Sequence, residues 1–323
     1  MAAERSFRIL LLIPLAVIVV AGIAYIVYLT TTKAIVRIRT IPSGVTISID
    51  GIVVGTTPDS SLSVAVPAGK RSIRMSRDGL ETVNTVLDVR RSEAIEIDQI
   101  LRPPGMVYVR GGVFQMGAGD GAYSERPRHQ VRLSPYYIDR TEVTVGAYRT
   151  AVSSYDPPFS GANMPATNVS WTEAKSYCES QGKQLPTEAQ WERACRGVRG
   201  SDYAYGDDFD PGKGRSGQSL SAGPVVVASY AEENADAFDM TGNVWEWCAD
   251  WYDRDYYRNS PENDPQGPLT GERRVLRGGA WYGSVAFSKC THRPGNIRSH
   301  RDPSFGFRCA QELNKHYGQA ARR

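Results

Sequence analysis

Five cysteines, Cys178, Cys195, Cys248, Cys290 and Cys309, are the soft ligands and redox groups of this sequence. No two stand in a Cys-x-x-C spacing, which excludes a zinc ribbon. His129, His292, His300 and His316 have no zinc or iron spacing either. Outside the cytoplasm the thiols can pair, and an odd count leaves at least one single unless it bridges chains. In a reducing compartment all five would stay buried thiols. Gly111-Gly112 and Gly278-Gly279 are not set in the strand–loop–helix of a phosphate cradle. Asn168-Val169-Ser170 has the spacing of a glycosylation sequon, but it also reads as a helix entry. The residues point to crosslinks before they point to catalysis.

Two of the cysteines sit behind helix starts. Ser170-Trp171-Thr172-Glu173 has the form of a capping box, in which the Ser oxygen and Glu carboxylate satisfy free amide protons. Trp171, Ala174 and Cys178 then share a face. Thr187-Glu188-Ala189-Gln190 repeats the device ahead of Trp191, Ala194 and Cys195, and Gly197 can end that helix. A third helix is expected from Glu142 to Val152. The rest of 106–312 is rich in Gly, Asp, Asn, Tyr and Pro, without long periodic runs, so this part reads as α+β with much irregular chain.

The whole chain has 323 residues, 41% hydrophobic and 23% charged. That suits one or two globular domains and excludes wholesale disorder. The net charge of +3 gives no cationic excess for a nucleic-acid partner. The 31 Gly and 19 Pro favour turns over a helical bundle. Ile9 to Leu29 carries no charge and as a helix would span ~30 Å, a bilayer core. Arg5 and Arg8 place residues 1–8 in the cytoplasm, although Lys33, Arg37 and Arg39 weaken the asymmetry. A cleaved signal would have a shorter apolar run of ~7–15 residues. The expectation is a transmembrane helix over 9–29, with the body in the periplasm or another extracytoplasmic space.

Residues 34–101 read as a small all-β module. Val45, Ile47 and Ile49 alternate with polar residues, and Asp50-Gly51 supplies the positive φ of a tight hairpin. Return strands are expected at Ile52–Val54, Ser61–Val66, Lys70–Ser76, Glu81–Val89 and Ala94–Leu101, punctuated by Pro67, Gly69 and Gly79, as in a β-sandwich. The stretch IPSGVTISIDGIVVGTTP followed by VPAGKRSIRMSRDGL resembles the PEGA domain. That resemblance implies an extracytoplasmic spacer or wall-proximal adaptor without catalysis. Arg102-Pro103-Pro104-Gly105 is a stiff linker.

Six blocks occur in order after the linker: MVYVRGGVFQMG, ERPRHQVRLSPYYIDRTEVTVGAYR, NVSWTEAKSYCESQGKQLPTEAQWERACRG, DMTGNVWEWCADWY, RVLRGGAW and FGFRCA. Together they resemble the formylglycine-generating enzyme (sulfatase-modifying factor) family. The resemblance implies a variant of the C-type lectin fold over 106–312, with 313–323 a tail. The family's catalytic members bind copper through two Cys after Arg-Gly-Gly-Ser, separated by four residues, and oxidise a substrate Cys to formylglycine. Here the motif is Arg277-Gly278-Gly279-Ala280, and the matching positions are Gly283 and Ser288. Neither supplies the soft thiolate that Cu(I) needs, so copper is not expected.

The resemblance also implies the disulfides Cys178–Cys309 and Cys195–Cys290, with Cys248 left as a buried thiol. It further implies a calcium site at Gly242, Val244 and Glu246, oxygen donors of the kind calcium takes; the competing reading has Glu246 in a salt bridge. His129 matches a structural position of the family. The expected role is a membrane-anchored binding or scaffold protein with a catalytically inert domain. Its partners would be other membrane or envelope proteins, or cell wall or glycan. The alternative is a copper-dependent oxidase with an altered site.

Overall fold

The structure, a computed structural model, describes residues 33–230 and 236–313. Among them no helix is long and apolar enough to cross a membrane. The charge-free run 9–29 and most of the expected tail lie outside the described residues. The chain divides into two compact units, Met1–Leu101 and Arg102–Arg323.

The first unit is built on period-two alternation. Strands β1 (Lys33–Ile41), β4 (Leu62–Pro67) and β7 (Ala94–Ile100) form one sheet, with β1 in the centre, antiparallel to β4 and parallel to β7. Strands β2 (Thr46–Ile49), β3 (Ile52–Thr56), β5 (Gly69–Ser76) and β6 (Val83–Val89) form the other, in the order β3-β2-β5-β6. Ala34, Val36 and Ile38 are buried, and Ile47, Ile73 and Met75 line the four-stranded sheet's buried face. Asp50 and Gly51 both have positive φ, 51° and 82°, as a two-residue hairpin turn requires. Asp50 also accepts the Ser72 amide at 2.9 Å, which ties the turn to β5. Arg37 and Arg39, on the opposite face of β1, pair with Glu96 and Asp98 of β7 in solvent.

Among its described residues the second unit has three small sheets and three short α-helices. Strands β8 (Met106–Val109), β11 (Tyr136–Asp139) and β16 (Ala310–Glu312) form one sheet, so the two ends of the domain meet. Strands β9 (Gly112–Met116) and β10 (His129–Leu133) form a second. Strands β12 (Trp245–Trp251), β13 (Arg273–Arg277), β14 (Gly295–Ile297) and β15 (Phe305–Gly306) form a third. Helix α1 runs Val145–Ala151, α2 Trp171–Ser180 and α3 Glu188–Arg196. Both expected capping boxes are present. Helix α1 starts three residues later than expected because Thr144, not Glu142, is its cap, accepting the Ala147 amide. Cys178 is bonded to Cys309 and Cys195 to Cys290, with Cα–Cα distances of 5.6 and 5.7 Å. Cys248 is free and buried.

Candidate functional site

The Arg-Gly-Gly turn leaves β13 through Gly278 and Gly279, both at positive φ. A Cβ at Gly279 would lie 2.9 Å from the Ser288 Cα and 3.0 Å from the Phe287 carbonyl oxygen. The loop therefore folds back on a residue that must be glycine. Its far limb is a single turn, Val285–Ser288, begun by the Ser284 hydroxyl, and Cys290 anchors it to α3. Of the two positions that the resemblance matches to copper ligands, Gly283 is exposed with φ 90° and no side chain. Ser288 is buried and its hydroxyl donates to Ser216 Oγ at 2.8 Å. A serine hydroxyl is a hard neutral donor at neutral pH, not a thiolate. Burial pushes the remaining thiol, Cys248, well above its ordinary pKa, so it stays protonated and shielded.

Beneath the loop lies a charge core. Helix α3 is buried over its whole length, so its charged residues need partners inside the protein. Arg277 Nη2 donates to Glu192 Oε2 at 2.5 Å, and Nε lies 3.1 Å from Glu188 Oε1. Arg293 grips Glu188 through two bonds of 2.6 and 2.8 Å. Arg196 reaches Glu192 at 3.1 Å. Burial alone would raise Glu188, yet Arg293 and Arg277 hold it below the ordinary carboxylate value. Asp250 accepts the Glu188 amide at 2.7 Å. Burial, reinforced by the Glu188 charge, pushes it up to about 7.

The expected calcium donors are brought together differently. Gly242 must be glycine, since a Cβ would sit 2.0 Å from the Arg215 carbonyl oxygen. The Val244 side chain is buried against Ala280 and Trp281. Both Glu246 oxygens are taken: Arg308 Nε and Nη2 donate to them at 2.7 Å each, and Trp191 Nε1 donates to Oε2 at 2.8 Å. A cation at Glu246 would have to displace this buried guanidinium. Among the described residues no cluster of three or more His, Cys, Asp or Glu side chains is arranged to hold a metal.

Beside Glu246 are two acids that the sequence reading did not single out as site residues. Asp239 accepts the Ala228 and Tyr230 amides at 2.6 and 2.9 Å. Glu142 Oε1 accepts from Asn243 at 2.8 Å, while its Oε2 is buried without a partner. Burial, then the Asp239 charge, pushes Glu142 well above its ordinary value. Asp239 opens the same block as Gly242 and Glu246, which was the available signal. Glu142 was hidden in a segment read as helix.

His292 closes the loop's outer side. Its Nδ1 is 3.1 Å from Glu125 Oε1, and its ring stacks on Phe287 and tilts against Trp245. His129 bonds the Pro127 carbonyl and packs on Tyr257, a structural place.

Residues 91–313 match the sulfatase-modifying factor enzyme 1-like domain. The chain belongs to that family. Residues 33–104 match the PEGA domain. A formylglycine-generating enzyme of Streptomyces coelicolor is 32% identical, the match covering 67% of this chain and 92% of that protein. The serine/threonine-protein kinase Pkn1 of Chlamydia trachomatis is 34% identical over 70% of this chain but only 41% of its own length. The mouse inactive C-alpha-formylglycine-generating enzyme 2 is 29% identical over 66% of this chain and 87% of that protein. Among solved structures, PvdO from Pseudomonas aeruginosa superposes with TM-score 0.57 and 26% identity, covering 65% of this chain and 95% of its own. Treponema denticola variable protein 1 gives TM-score 0.60 at 24% identity, covering 64% and 94%, and shares the fold.

Proposed function

We propose that the protein is a membrane-anchored, extracytoplasmic binding or scaffold component whose sulfatase-modifying-factor domain does not turn over substrate. One observation carries the reading. Gly283 and Ser288 occupy the copper positions, and Ser288 is engaged with Ser216 inside the fold. The other thiols are committed, four to disulfides and Cys248 to the interior. Cu(I) oxidation of a substrate cysteine needs two soft ligands to hold the metal. The fold does not depend on the metal, because its core rests on crosslinks and buried ion pairs. The loops remain to recognise a partner. The mouse relative named as inactive supports such a role within the family. The charge-free run 9–29 supports the anchor, and the PEGA module supports a position near the envelope or wall.

The test mixes the purified protein, loaded with Cu(I), with a peptide containing Cys-x-Pro-x-Arg under air. Mass spectrometry should find the peptide unchanged. Aldehyde formation abolished by Cys248→Ser or Cys290→Ser would establish the copper oxidase instead. Purification of the tagged full chain in mild detergent should then bring down envelope proteins or wall fragments.

A further inference from the structure

We infer that the open depression bounded by Tyr108, Arg110, Arg132 and Asn263, remote in sequence from the copper loop, binds the carboxylate of a small acidic ligand. The depression measures about 430 Å³, within the ~300–1,000 Å³ typical of ligand pockets and far larger than a bare carboxylate. Its wall is fixed: a Cβ at Gly111 would stand 2.7 Å from both the Leu133 carbonyl oxygen and the Pro135 nitrogen. A Cβ at Gly112 would meet nothing within 4 Å, so the chain there borders open space.

The lining is rich in uncommitted donors. Arg110 makes no hydrogen bond or ion pair with any described residue, and neither the Tyr108 hydroxyl nor the Asn263 amide makes a hydrogen bond with one. Arg132 approaches Glu262 only to 4.0 Å, and Glu262 Oε1 is already used by Gln130 at 2.9 Å. The one acid in the lining, Asp264, has both oxygens occupied, by the Ser134 amide at 2.7 Å and the Ser134 hydroxyl at 2.8 Å. Asp264 keeps its charge and Arg132 shares its own with Glu262, so the donors left over are the Arg110 guanidinium, the Tyr108 phenol and the Asn263 amide, with Arg132 beside them. The planar fork of Arg matches a carboxylate, and the Tyr108 ring offers an apolar flank to the rest of the ligand. Burial raises the Tyr108 phenol, with Arg110 opposing it, so the group stays a donor at neutral pH.

This assignment does not rest on the inert copper loop; an active oxidase would keep the same depression. The full chain in mild detergent is titrated calorimetrically with N-acetylglutamate, with its uncharged diamide and with inorganic phosphate. N-acetylglutamate should bind saturably and more weakly as salt rises, the diamide should not bind, and phosphate should bind less well than the acid. Arg110→Ala and Arg132→Ala should each weaken binding about tenfold, the loss of one charge-assisted contact. Arg110→Lys, which keeps charge but not the fork, should recover only part. Near-UV circular dichroism checks that the variants fold. Equal binding of acid and diamide, binding of phosphate alone, or unchanged affinity in both alanine variants would overturn the assignment.

Discussion

The two units stabilise their interiors by different means. In the first, β1 buries Ala34, Val36 and Ile38 and leaves Arg37 and Arg39 to pair in water. Polar and apolar groups are sorted by strand face, so the core owes little to charge. In the second, α3 takes Glu188, Glu192, Arg193 and Arg196 into the interior with Trp191 and Cys195. Irregular chain cannot sort residues by a simple period. It is held instead by specific long-range pairs, two disulfides and the Arg277–Glu188–Glu192–Arg293 lattice. Such a core tolerates exchange of exposed loops, but it is brittle at its named joints.

Reduction should expose that difference most strongly. The disulfides join residues 131 and 95 apart, and in the chain-entropy model each contributes ~4–5 kcal/mol. Calorimetry with and without dithiothreitol should show one transition collapse to lower temperature. A second transition, from the cysteine-free first unit, should stay in place. If both move together, the units do not fold independently as argued.

Next in size is the charge core. Arg277→Met leaves Glu192 short of one buried partner and should cost about 3–5 kcal/mol in denaturant unfolding. Arg39→Ala, which breaks an exposed pair on β1, should leave the first unit's transition where it is. A mild Arg277→Met would mean that Arg196 and Arg293 can neutralise the two glutamates alone.

The same contrast governs what could be read without coordinates. Alternation located β2 to β7 to within about two residues; β6 begins at Val83 rather than Glu81, past the turn closed by the Leu80 amide on the Arg77 carbonyl. Cap chemistry located α2 and α3, since it is written within four consecutive residues. No such box marks the start of α1, where Thr144 caps and Glu142 turns inward to Asn243. The crosslinks were legible through the family resemblance, at Cys178–Cys309 and Cys195–Cys290. The site was illegible where partners are distant: Glu246 and Arg308 are 62 residues apart, and Arg277 and Glu192 are 85 apart. Their pairing leaves no periodic trace.

A smaller effect should appear with pH. Asp250 titrates near 7 in the folded protein, above its ordinary carboxylate value. A raised folded pKa means that the stabilising form is the neutral acid. Its contribution is full below about pH 4 and is lost as pH rises through about 7. The second unit should therefore unfold at progressively lower denaturant between about pH 4 and 7. Asp250→Asn keeps an acceptor for the Glu188 amide but cannot ionise, so its unfolding midpoint should depend less on pH. An equally steep profile in that variant would assign the slope elsewhere.

Calcium should produce the smallest effect, and the reason lies in how the acids around Glu246 are already satisfied. Glu246 shares two short bonds with Arg308, a charge-assisted fork that a cation would have to break. Asp239 spends its oxygens on the amides of Ala228 and Tyr230. Glu142, raised well above the usual range, favours its neutral form, which needs no counter-ion. The charge that remains, on Asp239, is held by two backbone amides. A calcium site filled at a hundredfold excess over its dissociation constant would add about 2.7 kcal/mol. In a unit of this size that amounts to several degrees of melting midpoint, at ~2–4 °C per kcal/mol. Thermal unfolding in millimolar calcium and in excess EDTA should instead give midpoints within a degree of each other. A calcium-dependent rise of several degrees, abolished by Glu142→Gln, would show that the unpartnered Glu142 Oε2 holds a cation and that Arg308 yields Glu246 to it.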